Sequence, residues 1–270
     1  MRKLLTLALS CLLFCLLTTA GFGSLVQSNL GGTATGTLAP TSGTLVATGI
    51  FTNSTVSGNL LVMVLYQTSS TGSSLGLTTN PTVGGGYSPS SFSLAGGGFW
   101  PVSSSPAGGI VYIFFIANAA SMTSFNTITV TGDNHYATSQ QQTLEFDLYE
   151  FNGIVNPAVI EERYGYDIGT ASAPSVPFGY PSSTVNTDLI ICAFAGDSTG
   201  ISAGTGYTLG IDAVSATTGQ MEYQLNAAPG QTSASFAGTQ ANWGAAVVAF
   251  ETGSSPPPSS AVPRHPGFVN

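Results

Sequence analysis

Almost no window of this chain places apolar residues at helical spacing. Short runs rich in β-branched and aromatic residues recur instead, separated by Gly, Pro, Ser and Asn. Runs of that kind read as strands. Ten stand out: "TLVATGIF", "LLVMVLYQ", "IVYIFFIA", "NTITVTG" and "LEFDLYEF", then "LIICAFAG", "YTLGIDAV", "MEYQLNA", "TSASFAG" and "WGAAVVAF". Many short strands with turn residues between them must bury their apolar sides face to face. The expected fold is therefore all-β, an antiparallel β-sandwich that is Ig-like or jelly-roll-like.

The chain also repeats itself. "STVSGNLLVMVL" (Ser54 to Leu65) returns as "STVNTDLIICAF" (Ser183 to Phe194), and "GGGY" at Gly84 to Tyr87 returns as "GTGY" at Gly204 to Tyr207. "FFIANAA" before Ser121 is echoed by "EYQLNAA" before Pro229. Each half then closes on a strand, "YEFNG" at Gly153 or "VAFETG" at Gly253. Landmarks in one order imply an internal duplication, as two tandem sandwiches or as one pseudo-symmetric sandwich. The expected boundaries are 1–20 for a signal peptide, 21–154 for the first half and 155–252 for the second. Residues 253–270 form a Pro/Ser-rich tail expected to be extended or disordered.

The second half, from "LYEFNGIVNPAVIEERYG" through "TVNTDLIICAFAG" and "GTGYT" to "YQLNAAPGQTSASFAGTQANWGAAVVAF", resembles repeated β-sandwich domains of secreted proteins of soil bacteria, notably acidobacteria. The first half is similar to their usual N-terminal half, with "NTITVTG" in the place of a recurrent strand. The resemblance covers most of the chain after residue 20 and implies a secreted sandwich. Its motifs are packing and turn motifs, and it brings no catalytic residues.

The N-terminus, "MRKLLTLALSCLLFCLLTTA", has Arg2 and Lys3 ahead of a short apolar run ending in small residues, the pattern of a secretory signal peptide. Cleavage is expected after Ala20, with Gly23 as second choice, and Cys11 and Cys15 leave with it. Two basic residues, Arg163 and Arg264, then face twelve acidic ones, a net charge of −10, with no lysine. Such a chain repels phosphate backbones and anionic membrane surfaces. No later apolar run is long enough to span a bilayer, so no membrane insertion is expected after cleavage. The one remaining cysteine, Cys192, sits in an apolar run and reads as a small buried hydrophobe.

Candidate sites are few. In "LEFDLYEF", alternation puts Glu145, Asp147 and Tyr149 on one face and Phe146 and Leu148 on the other. A carboxylate pair suits glycoside hydrolysis, but the plainer expectation is a strand with one face in the core and one in water. Asp133, Asn134 and His135 share a Gly-led loop. Asp133 and Asn134 are the candidate metal ligands, set against an ordinary turn. His135 lacks a second histidine nearby, which disfavours zinc, and no nucleophile elbow accompanies it. Phe99 and Trp100 fall in a long Gly/Ser/Pro stretch and are the ligand-binding candidates. They either stack on a sugar face or fold back over the end of the sandwich. Trp243 is expected in the core, and Tyr87 and Tyr207 as equivalent structural tyrosines.

These features point to a secreted or cell-surface, non-catalytic structural or adhesive protein of the extracellular matrix, with no cofactor. The expected partner is another copy, in a homo-oligomer or fibre, or an extracellular polysaccharide, and no nucleic acid. The alternative is a carbohydrate-binding module or, behind it, a glycan-cleaving enzyme.

Overall fold

The structure is a computed structural model that describes residues 23–38, 43–69, 76–77, 79–100, 108–133, 140–154, 160–179, 184, 187–196, 201–211 and 218–252. The expected signal peptide and tail lie outside these. All regular structure among the described residues is strand, and the sheets are antiparallel. The first nine strands are β1 (Ser24–Leu38), β2 (Thr44–Gly49), β3 (Leu60–Ser69), β4 (Gly76–Leu77), β5 (Thr82–Val83), β6 (Ser93–Trp100), β7 (Gly108–Ile116), β8 (Ile128–Asp133) and β9 (Gln140–Asn152). The next seven are β10 (Ile160–Ser172), β11 (Ser175–Pro177), β12 (Asp188–Gly196), β13 (Thr208–Leu209), β14 (Thr218–Ala227), β15 (Ser233–Ser235) and β16 (Gln240–Glu251).

Sheet I runs β1-β9-β3-β7-β6 and sheet II runs β10-β16-β12-β14-β13. Two smaller sheets accompany them, β2-β8-β4 with β5 also on β8, and β11-β15. The pairings are nested. The first strand of each half pairs with the last (β1 with β9, β10 with β16), the second with the second-last (β2 with β8, β11 with β15), and β3 with β7 as β12 with β14.

Three apolar layers hold the sheets in a sandwich-like stack. Leu60, Val62, Val64 and Tyr66 of β3 face Leu189, Ile191, Ala193 and Ala195 of β12 in the layer between sheets I and II. The opposite face of β3, Leu61, Met63 and Leu65, packs with Ala47, Ile128 and Val130 of the small sheet. Ile190, Cys192 and Phe194 of β12 likewise pack with Val176 and Ala234 of theirs. Both central strands are thus buried on both faces, which is why they read as unbroken apolar runs rather than as alternation. Each fully buried Leu, Ile or Val contributes about 1.5–3 kcal/mol.

The same burial overturns the expectation that "LEFDLYEF" turns one face to water. β9 is interior to sheet I, and sheet II covers the face that carries Glu145, Asp147 and Tyr149, leaving the two acids 4% and 0% exposed. The expected loop around Phe99 and Trp100 is also corrected. Both residues end strand β6, opposite Ile110 and Gly109, because the glycines at 96–98 accept strand geometry beside a bulge at Leu94/Gly96.

The threonines of the repeated "STV" segments, Thr55 and Thr184, and the asparagines of the repeated "NAA" segments take matching local structures. Thr55 accepts the Met122 N–H on its hydroxyl at 2.7 Å and donates its own N–H to the Met122 carbonyl at 3.0 Å. Thr184 does both with Gln231, at 3.0 and 2.8 Å. Asn118 and Asn226, at the ends of β7 and β14, hold the left-handed conformation with φ of 48° and 54°, which asparagine tolerates better than most side chains.

Candidate functional site

All twelve acidic residues lie at or beyond Asp133, and no charged or histidine side chain occurs from Leu4 to Gly132. The chemistry of the chain is therefore concentrated in its later part, and much of it is turned inward. Glu150 of β9 is fully buried and bound on both oxygens. Oε1 accepts the Val56 N–H at 2.6 Å and the Asn59 amide at 2.7 Å, and Oε2 accepts the Gln27 amide at 2.6 Å. Three donors around one carboxylate knit β1, the "STV" turn and β9 together.

The other group lies inside the second half. Register places Glu222 of β14 opposite Cys192 of β12 and Leu209 of β13. Glu222 Oε2 accepts the Gly204 N–H at 2.7 Å, and Oε1 meets no protein donor among the described residues. Gly204 is the only residue type that fits its place, since a Cβ there would run into the Ser235 carbonyl. Burial pushes the Glu222 carboxyl up from 4.5 to about 7, the Gly204 hydrogen bond pulling weakly the other way. Burial, reinforced by Glu222, holds the Cys192 thiol well above its ordinary range. The Tyr207 phenol is raised by burial and then by both neighbours, and its hydroxyl makes no hydrogen bond within the described residues.

This group can hold a proton near neutrality, but a thiol kept in its neutral form is a poor nucleophile. The matching positions of the first half are apolar: Met63 stands opposite Phe114 where Cys192 stands opposite Glu222. Tyr87, the counterpart of Tyr207 in the repeat, does find an acceptor. Its hydroxyl donates to the Ala120 carbonyl at 2.7 Å, and burial pushes it up to about 12.

The sequence candidates are not brought together. Phe99 and Trp100 lie on β6 at one edge of sheet I, and Asp133 closes β8 opposite Thr44 and Gly76. The side chains of these three residues, and Asn134 and His135 altogether, lie outside the description. No group of three or more His, Cys, Asp or Glu among the described residues is placed to hold a metal ion. Glu145 and Asp147 sit between sheets I and II beside Tyr149, away from any solvent-borne sugar. Trp243 is buried, its indole N–H donating to the Ser172 hydroxyl at 3.3 Å. Sequence reasoning missed Glu222 and Glu150. The available signal for Glu222 was a carboxylate at the place that "IVYIFFIA" gives to phenylalanine.

No helix among the described residues is long and apolar enough to cross a membrane. No family model, curated protein or solved structure matches the chain.

Proposed function

We propose that this chain is an exported, non-catalytic structural or adhesive protein of the cell surface or extracellular matrix, built by internal duplication and assembling with copies of itself. The duplication is supported by the shared strand order of sheets I and II, the Thr55 and Thr184 clamps, and the left-handed Asn118 and Asn226. The nested pairing of first strand with last favours a jelly-roll form for each half over an Ig-like one. Kinship with the repeated sandwich domains of soil bacteria belongs to the same proposal.

The observation that carries the assembly reading is β1. It is a 15-residue strand at an edge of sheet I with no charged residue and no proline. Natural sheets guard such edges with charge, proline or bulges. Here two bulges, at Leu25/Gln27 and Leu30/Gly32, are the only guard of that kind, and Val26 and Leu30 remain 43% and 56% exposed. The acids of the neighbouring β9, Glu145, Asp147 and Glu150, are buried, so they present little charge to a copy meeting β1, whereas the second half carries more acids.

Sedimentation velocity over a concentration series tests this. Dimers and larger species should grow with concentration, and Leu30→Lys, a change at an exposed position, should reduce them while leaving the melting temperature in place. A protein that stays monomeric at high concentration overturns the assembly reading.

A further inference from the structure

The layer between sheets I and II is built from exchangeable contacts. Phe115 of β7 meets Phe250 of β16 edge-on, with ring centres 5.6 Å apart and planes at 62°. Tyr223 of β14 meets Phe151 of β9 in the same manner, at 5.6 Å and 69°. Register makes Phe115 the counterpart of Tyr223, because they lie opposite Val62 and Ile191. It makes Phe151 the counterpart of Phe250, because they lie opposite Leu60 and Leu189. Swapping the halves therefore turns one contact into the other, which is the contact rule of a two-fold interface.

Two fits break that symmetry, and both point the same way. The Tyr66 ring lies against Gly219, and the Tyr149 hydroxyl lies against Gly210. A methyl group on either glycine would collide with the tyrosine. Both tyrosines belong to the first half and both glycines to the second. In register, the counterpart of Gly219 is Val111 and the counterpart of Tyr66 is Ala195. Two first halves set face to face would press Tyr66 onto Val111, where not even a methyl fits. Two second halves would set Ala195 over Gly219 and leave a gap about the size of a ring. Clash in one like pairing and a void in the other leave the unlike pairing favoured.

We propose that this face is a lock that accepts only an unlike half, and that it also joins the first half of one copy to the second half of another. The partner is then a second copy of this chain, held by exchange of halves. This inference rests on the duplication reading and not on the β1 edge.

Complementary full-length variants test it. Gly219→Val blocks its own lock, and Tyr66→Ala leaves its own lock empty. Refolded together from urea, they should give a 1:1 dimer in which the valine introduced into one chain fills the space that the shortened tyrosine position leaves in the other. Light scattering should report twice the monomer mass, and the mixture should melt several degrees above either variant alone. Two monomers melting as they do separately would overturn the proposal.

Phe115→Cys and Phe250→Cys provide a second route that places no bulk in the lock. The two chains are co-refolded and oxidised once Cys192 is buried, with the wild-type chain setting the background. The mixture should form interchain disulfides several-fold above either variant alone. Equal cross-linking within one variant would overturn the unlike-half rule, and none above background would overturn the exchange. Adding Leu30→Lys should leave this cross-link unchanged, which separates failure of the lock from failure of the edge assembly.

Discussion

Replacing Glu222 by glutamine should remove a pH dependence that the folded chain carries. Glutamine keeps an oxygen for the Gly204 N–H and mimics the protonated carboxyl in size. In the wild-type protein the carboxyl titrates near 7 when folded and near 4.5 when unfolded, burial being the main cause. Below 4.5 both states hold the proton and the stability is fully present. Between 4.5 and 7 the unfolded chain ionises while the folded one does not, so stability is lost as pH rises. Above 7 both ionise and the loss levels off. Each pH unit of that interval is worth about 1.4 kcal/mol. The full loss is about 2–3 kcal/mol once relaxation and water entry around the ionised form of this fully buried carboxyl are allowed for. The assay is urea unfolding of both proteins at pH 4, 5, 6, 7 and 8. The other acids act equally in the two proteins and cancel in the difference. Glu222→Gln should match the wild type near pH 4 and exceed it by about 2–3 kcal/mol at pH 8. A difference that stays constant across the range would refute the reasoning.

Glu150→Ala leaves the Val56 N–H and the Asn59 and Gln27 amides without their acceptor, and should cost about 3 kcal/mol in urea unfolding. Asn118→Gly and Asn226→Gly both keep the left-handed turn, but only the second loses the paired hydrogen bonds between the Asn226 amide and the Gly23 backbone at 3.1 and 3.3 Å. Thermal melts should place Asn118→Gly within about 0.5 kcal/mol of wild type and Asn226→Gly about 1–2 kcal/mol below it. On a polysaccharide array, the structural reading expects Trp100→Ala and the wild-type protein to behave alike. Glycan binding that falls at least tenfold in Trp100→Ala would favour the carbohydrate-binding alternative.

What the sequence disclosed follows burial. β3 and β12 are covered on both faces, so "LLVMVL" and "LIICAF" carry the strongest apolar signal and were legible at once. β1, β6 and β10 carry no such signal and were not among the expected strands. All three are sheet edges, where few positions must be apolar and glycine is tolerated, as "SLAGGGFW" illustrates. The acids of β9 were misplaced for a related reason. Alternation within one strand reveals that two faces differ, but not that a second sheet covers the polar one. Glu222 was hidden because a lone carboxylate in "MEYQLNA" has no neighbour in sequence to mark it. Its partners Cys192, Gly204 and Tyr207 are assembled only by the register of β12, β13 and β14.

The nested pairing sets the order in which the chain can become ordered. Ser24 at the start of β1 lies opposite Asn152 at the end of β9, and Ile160 of β10 lies opposite Phe250 of β16. The final strand of each half is also the one inserted between the first strand and the central one. A chain delivered N-terminus first, from a ribosome or through a membrane pore, therefore cannot close sheet I until β9 has emerged, nor sheet II until β16 has. Contacts so distant in sequence make folding slow relative to helical chains of similar size. For a chain exported as proposed above, the same delay would leave each half open to threading during delivery.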